Sequence, residues 1–214
     1  MRPIERGPAP RVYTDFPEAQ PDLVAALGDF CSYCERQIET HLAVEHVQPK
    51  SRRKALRNDW GNFLLGCVNC NSCKGKKAVV LANCLWPDRD NTARAFEYMP
   101  TGEVRVAPRT RNPNRTRAQA TLELVGLDRI PGHPVSRKRP STKDSRWLKR
   151  QQAFGLAERQ LNDLAVQNTP VVRQLIVDAA LGRGMFSIWM HVFRDDPDMR
   201  QRLVAAFKGT AANC

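Results

Sequence analysis

Long apolar runs are missing from this 214-residue chain. No stretch approaches the ~20 consecutive apolar residues of a membrane-spanning helix, so no membrane span is expected. An apolar leader is missing too: Met1 to Ala9 mixes charges and prolines without the apolar centre of a secretory signal. The expectation is therefore a cytoplasmic protein whose cysteines bind metal or stay reduced, rather than a disulfide framework. Acidic residues are scarce, with 22 Asp and Glu against 34 Lys and Arg, and the net charge of +12 points to a polyanion, most simply nucleic acid. Disorder is excluded as a whole-chain description, because 42% of residues are apolar and apolar segments recur throughout. At roughly 150 residues per domain the length suits one domain or one with an appendage.

Charge and cysteine are spread differently. Residues 101–150 carry +9 of the net +12, whereas six of the seven cysteines lie between Cys31 and Cys84. Three stretches follow: a cysteine-bearing module over residues 1–100, a basic Arg/Pro-rich connector with one helix over 101–140, and a helical region over 141–214. Pro21 to Leu27 reads as a short helix closed by Gly28. Leu42 to Val47 fits a strand, Asn71 to Val80 a helix opening after Cys70, and Ala118 to Leu127 a helix before the linker Arg129 to Pro140. Ser141 with Asp144 resembles a capping-box start. Trp147, Phe154 and Leu161 recur every seven residues and mark an amphipathic helix. Thr169–Pro170 opens a further helix that Gly182 closes, and Asp196–Pro197 with Gly209 brackets the last. Trp147, Phe154, Phe186 and Trp189 are expected in the core.

Cys31-Ser-Tyr-Cys34 and Cys67-Val-Asn-Cys70 form two C-x-x-C pairs. Each pair can turn two sulfurs toward one ion, and two such knuckles complete a closed four-thiolate Zn²⁺ site. The 32 residues between them exceed the roughly 15–20 of an ordinary zinc ribbon, so more than a hairpin is inserted. Cys73 can in principle replace Cys70, but Cys70 keeps the two knuckles symmetrical. Cys84 and Cys214 read as free thiols. A redox pair is disfavoured, because no βαβ pattern surrounds either C-x-x-C.

The inserted segment carries Glu45-His46 at the end of the strand-like run, then Trp60-Gly-Asn62, then Asn71 directly after the last zinc ligand. His46 suits a general base with an ordinary pKa of about 6.5, and Glu45 offers a hard oxygen to a divalent ion. The zinc knuckle would hold Asn71 in place. Lys50, Arg52, Arg53, Lys54 and Arg57 follow His46, and Lys74, Lys76 and Lys77 follow Asn71, flanking this segment with cations suited to phosphate. Arg109, Arg111, Arg115, Arg117 and Arg137 to Arg139 stand evenly between gripping nucleic acid and forming a solvated linker. His41 on an alternating strand would face away from His46. His133 lies in a Pro/Gly loop, and His191 reads as a packed histidine.

Glu45-His46, Asn62 and Asn71, set within C-x-x-C…C-x-x-C-N-x-x-K-G, resemble the HNH endonucleases, whose ββα-metal core is also called the His-Me finger. The resemblance covers roughly residues 28–78. It implies an α+β fold, a zinc-bound ββα-metal core followed by a mainly helical C-terminal region, and an enzyme that hydrolyses phosphodiester bonds. It further implies that His46 activates water, that Glu45 and Asn71 bind one Mg²⁺ or Mn²⁺, and that Asn62 holds the loop. DNA is the expected substrate, with RNA or a non-catalytic nucleic-acid-binding adaptor as the alternatives. Met1-Arg-Pro-Ile, Tyr33-Cys-Glu-Arg, Pro87 to Thr92 and Leu122 to Asp128 look like the PtuB-like HNH proteins of retrons and the Septu antiphage system. That narrower likeness implies an ATPase partner.

Overall fold

Local capping chemistry sets several helix starts. The Thr169 hydroxyl accepts from Val172 N at 3.2 Å and the Asp196 carboxylate from Met199 N at 2.9 Å, each with proline at the next position. The computed structural model describes residues 1–214 and is α+β, with seven α-helices and two antiparallel strand pairs. Helix α1 spans Gln20–Leu27, β1 Ala43–His46, β2 Phe63–Gly66 and α2 Val68–Lys74. Strands β3 (Phe96–Tyr98) and β4 (Val104–Val106) follow, then α3 (Asn114–Val125) and α4 (Arg146–Val166). Helices α5 (Pro170–Arg183), α6 (Phe186–Val192) and α7 (Pro197–Ala206) complete the chain.

Strands β1 and β2 pair with Glu45 opposite Leu64 and His46 opposite Phe63. The turn into α2 follows at once, so a ββα unit carries Glu45, His46, Asn62 and Asn71 between and beside the knuckles. Helix α1 covers the strand pair, α3 packs on α2, and α4 packs on α5 and α6. One continuous core of 47 buried residues runs from Met1 to Phe207 through all three sequence stretches.

Several expected boundaries move. The helix expected over Asn71 to Val80 is α2, which starts at Val68 and ends at Lys74, because Gly75 takes a positive φ of 53°. Helix α5 runs through Gly182 and stops at Gly184, whose left-handed backbone lies so close to the Glu35 carbonyl that a Cβ would collide with it. Ser141 caps nothing: α4 begins at Arg146, and Asp144 accepts from the Arg146 main-chain N at 3.2 Å. Leu161, the third residue of the heptad series, is exposed, whereas Phe154, Phe186 and Trp189 are buried. The β3–β4 pair was not expected.

Candidate active site

The four Sγ atoms of Cys31, Cys34, Cys67 and Cys70 lie within 4.8 Å of one another, and all four residues are buried. Tetrahedral Zn–S bonds of about 2.3 Å require sulfurs roughly 3.8 Å apart, and Cys34 and Cys67 are 3.7 Å apart. The residues therefore fit a zinc ion. Cys73 stays outside the cluster. Burial pushes the Cys31 and Cys70 thiols up, so thiolate at these positions needs a cation beside it. Arg146 reinforces this from α4: its guanidinium donates to Cys70 Sγ at 3.1 Å and reaches Cys73 Sγ at 3.6 Å. The same group pairs with Asp144 at 2.7 Å and caps the Val125 and Gly126 carbonyls at the end of α3.

His46 ends β1 with its ring edge-on to Phe16 and Phe63, at centroid distances of 4.9 and 5.3 Å. Its Nε2 lies 2.8 Å from the Arg57 carbonyl, which can only accept. Nε2 therefore carries the proton, and Nδ1 keeps a free lone pair. Burial draws the imidazole below its ordinary pKa; the bond to the Arg57 carbonyl opposes this, the charges of Lys50, Lys74 and Arg57 add to it, and the net shift favours the neutral ring. The Arg57 carbonyl belongs to the loop between β1 and β2, and Asn62 pins that loop. Its Oδ1 accepts from Gln48 N at 2.8 Å, and its Nδ2 donates to the Gln48 and Leu56 carbonyls at 3.0 and 3.1 Å.

Glu45 is buried. One carboxylate oxygen takes the Lys74 ammonium at 2.6 Å and the other the Tyr33 hydroxyl at 2.7 Å. Burial pushes the Glu45 carboxyl up, and Lys74 and Tyr33 oppose that rise. Lys74 also donates to the His46 carbonyl, so one ammonium joins both residues of the Glu-His pair. Gly66 opens the space beside them: a Cβ there would lie 2.9 Å from Glu45 Cβ and 3.8 Å from Asn71 Cβ. The Asn71 carboxamide makes no hydrogen bond and is partly exposed. A carboxylate and a free carboxamide are hard oxygen donors, and the position beside Glu45 already accepts a cation. Donors of this class suit a divalent ion, and both Glu45 oxygens are here taken by Lys74 and Tyr33.

The structure places Lys50, Arg52, Arg53, Lys54, Lys76 and Lys77 on the surface around this unit. Lys50 lies over the Phe16 ring at 3.5 Å, and Arg52 ties to the Lys76 carbonyl at 2.7 Å. Lys74 differs from the expectation. It is buried on Glu45 and is not available to phosphate, because the last turn of α2 points it inward. His41 is exposed, His133 bonds within its own loop, and His191 sits against Phe154. Sequence reasoning missed the roles of Tyr33, Lys74 and Arg146. Only the Lys in C-N-x-x-K-G and the Tyr inside the first knuckle gave any signal.

Residues 31–77 match the HNH endonuclease family model. The matched segment runs from the first knuckle past the second and holds Glu45, His46, Asn62, Asn71 and Lys74. This segment, under a quarter of the chain, is therefore similar to an HNH endonuclease domain. No curated protein matches the chain. No helix is long and apolar enough to cross a membrane.

Proposed function

We propose that the protein is a metal-dependent HNH endonuclease that hydrolyses phosphodiester bonds in DNA. The observation that carries this reading is the His46 arrangement within the HNH-matching segment: Nε2 is committed to the Arg57 carbonyl and Nδ1 is left free. His46 Nδ1 takes the proton from a water that attacks phosphorus in line, a role worth typically about 10²–10⁴-fold. Asn62 acts as a positioning residue, because the loop it holds supplies the carbonyl that orients the ring. A divalent ion held by Glu45 and Asn71 would supply Lewis-acid stabilisation of the charge that develops on phosphate and on the departing oxygen. Lys74 keeps the Glu45 carboxylate compensated until such an ion arrives. A zinc ion held by the four cysteines would have no open position, and it would fix Asn71 one residue beyond Cys70.

The free Asn71 and the free His46 Nδ1 favour catalysis over a binding-only adaptor, which needs neither. The test is incubation of the zinc-loaded protein with duplex DNA, single-stranded DNA and tRNA in Mg²⁺ or Mn²⁺. Cut duplex DNA with 5′-phosphate and 3′-hydroxyl ends is the expected result. Cleavage of tRNA alone would move the substrate to RNA, and binding without cleavage would favour the adaptor. The motif likeness to PtuB-like proteins supports a role in bacterial antiphage defence beside an ATPase. Co-purification with an ATPase encoded next to the gene tests that part.

A further inference from the structure

A second concave surface lies away from the zinc-framed unit. It is a cleft of about 1100 Å³ between the β3–β4 pair, residues 107–114 and α6. Its floor is apolar, with Phe96, Phe186 and Met190. Its rim carries Arg94, Arg109, Arg111, Arg194 and Arg200. Arg94, Arg109 and Arg111 are exposed and make no ion pair and no side-chain hydrogen bond. Arg200 donates to the Met190 carbonyl at 3.1 Å, and Arg194 donates to the His191 carbonyl at 3.3 Å and pairs with the exposed Asp195 at 3.5 Å. The acidic side chains that line the cleft are already neutralised: Asp90 pairs with Arg117 at 2.9 Å and Glu97 with Arg105 at 2.7 Å. The charge of Arg94, Arg109 and Arg111 is thus uncompensated. A concave, low-dielectric wall focuses the field of such charge onto a polyanion.

We propose that this cleft is a second nucleic-acid contact surface, which grips the phosphate backbone of the same molecule that the zinc-framed site cuts. The proposal rests on the nuclease reading above. Arginine supplies the rim, and its planar fork suits phosphate oxygens while its face stacks on bases. The segment from Leu81 to Asn91 joins the two regions. Leu81, Asp88 and Arg89 line a depression that holds Asn62 and Gln48, and Leu85, Asp90 and Asn91 line the arginine cleft. Arg109 and Arg111 bring part of the positive charge of residues 101–150 to this cleft.

The test is fluorescence anisotropy of a labelled DNA duplex with the full zinc-loaded chain, in a His46→Ala background that leaves the probe intact. Arg94→Glu with Arg109→Glu and Arg111→Glu should weaken binding at least tenfold. It should also lower the slope of log K against log salt by roughly 0.9 per lost contact, about 2.7 in all. The triple lysine variant should stay within threefold, and circular dichroism and zinc content should match in all forms. Unchanged affinity and slope in the glutamate variant would overturn the proposal. So would displacement of the duplex by polyglutamate as readily as by unlabelled DNA, which would assign the cleft to an acidic protein. Cleavage by the unsubstituted chain is scored separately. Cleavage with arginine-independent binding removes the cleft alone, and arginine-dependent binding without cleavage removes the nuclease reading alone.

Discussion

Lys74 and Glu45 form a fully buried ion pair at 2.6 Å beside the proposed base. A buried pair contributes little net stability, but removing one partner leaves an uncompensated charge and costs about 3–5 kcal/mol. Lys74→Met should therefore lower the denaturant midpoint sharply in the absence of divalent ions. Mg²⁺ or Mn²⁺ should then restore part of the loss, up to about 2.7 kcal/mol at a hundredfold excess over its Kd. Urea titrations with and without the ion measure this, and no restoration would count against Glu45 as a metal ligand. Gly66 poses the complementary test. A Cβ there would meet Glu45 Cβ at 2.9 Å and Cγ at 3.0 Å, so Gly66→Ala should destabilise by about 1–3 kcal/mol through overpacking. The four-cysteine frame was legible because the spacing within each C-x-x-C is local. The burial of Lys74 was not, since a lysine after a zinc knuckle in a basic chain reads as a surface cation until the β1 carboxylate is placed against it.

The helix that matters most to the zinc site is not in the zinc module. Arg146 opens α4, 76 residues beyond Cys70, and brings a buried guanidinium to the Cys70 sulfur. Four thiolates on one divalent ion leave a net negative charge, and Arg146 offsets it while fixing the end of α3. Removal of such an outer hydrogen bond typically costs about 10–100-fold in metal affinity. Arg146→Met should accordingly speed zinc loss to a colorimetric chelator by at least tenfold, whereas substitution of the exposed Lys149 should not. Helices α5 and α7 were readable because proline and a side-chain cap mark each start, and α1 because Pro21 and Gly28 bracket it. The β3–β4 pair left no such mark: its three-residue strands are too short for an alternating pattern, and it is defined by its partners in α3 and α6.

At the scale of the whole molecule the three stretches of sequence share one core. Glu35, just past the first knuckle, shows how they are joined. Its buried carboxylate accepts from Arg2 N at 2.6 Å, from Tyr98 Oη at 3.2 Å, and from Ser187 N and Oγ at 2.8 and 2.6 Å. A chain cut after residue 140 would lose Arg146, Ser187 and the α4–α6 cover together. It should fail to hold zinc or to give a cooperative thermal transition, and calorimetry with zinc analysis checks this. The composition pointed to a polyanion, and the site proposes the reaction carried out on it. That reaction depends on one free ring nitrogen, so the most direct measurement is the single-turnover cleavage rate of duplex DNA in Mg²⁺ for wild type and for His46→Ala at matched zinc content. The account predicts a fall of about 10²–10⁴-fold in the variant. Cleavage by His46→Ala at the wild-type rate would contradict it.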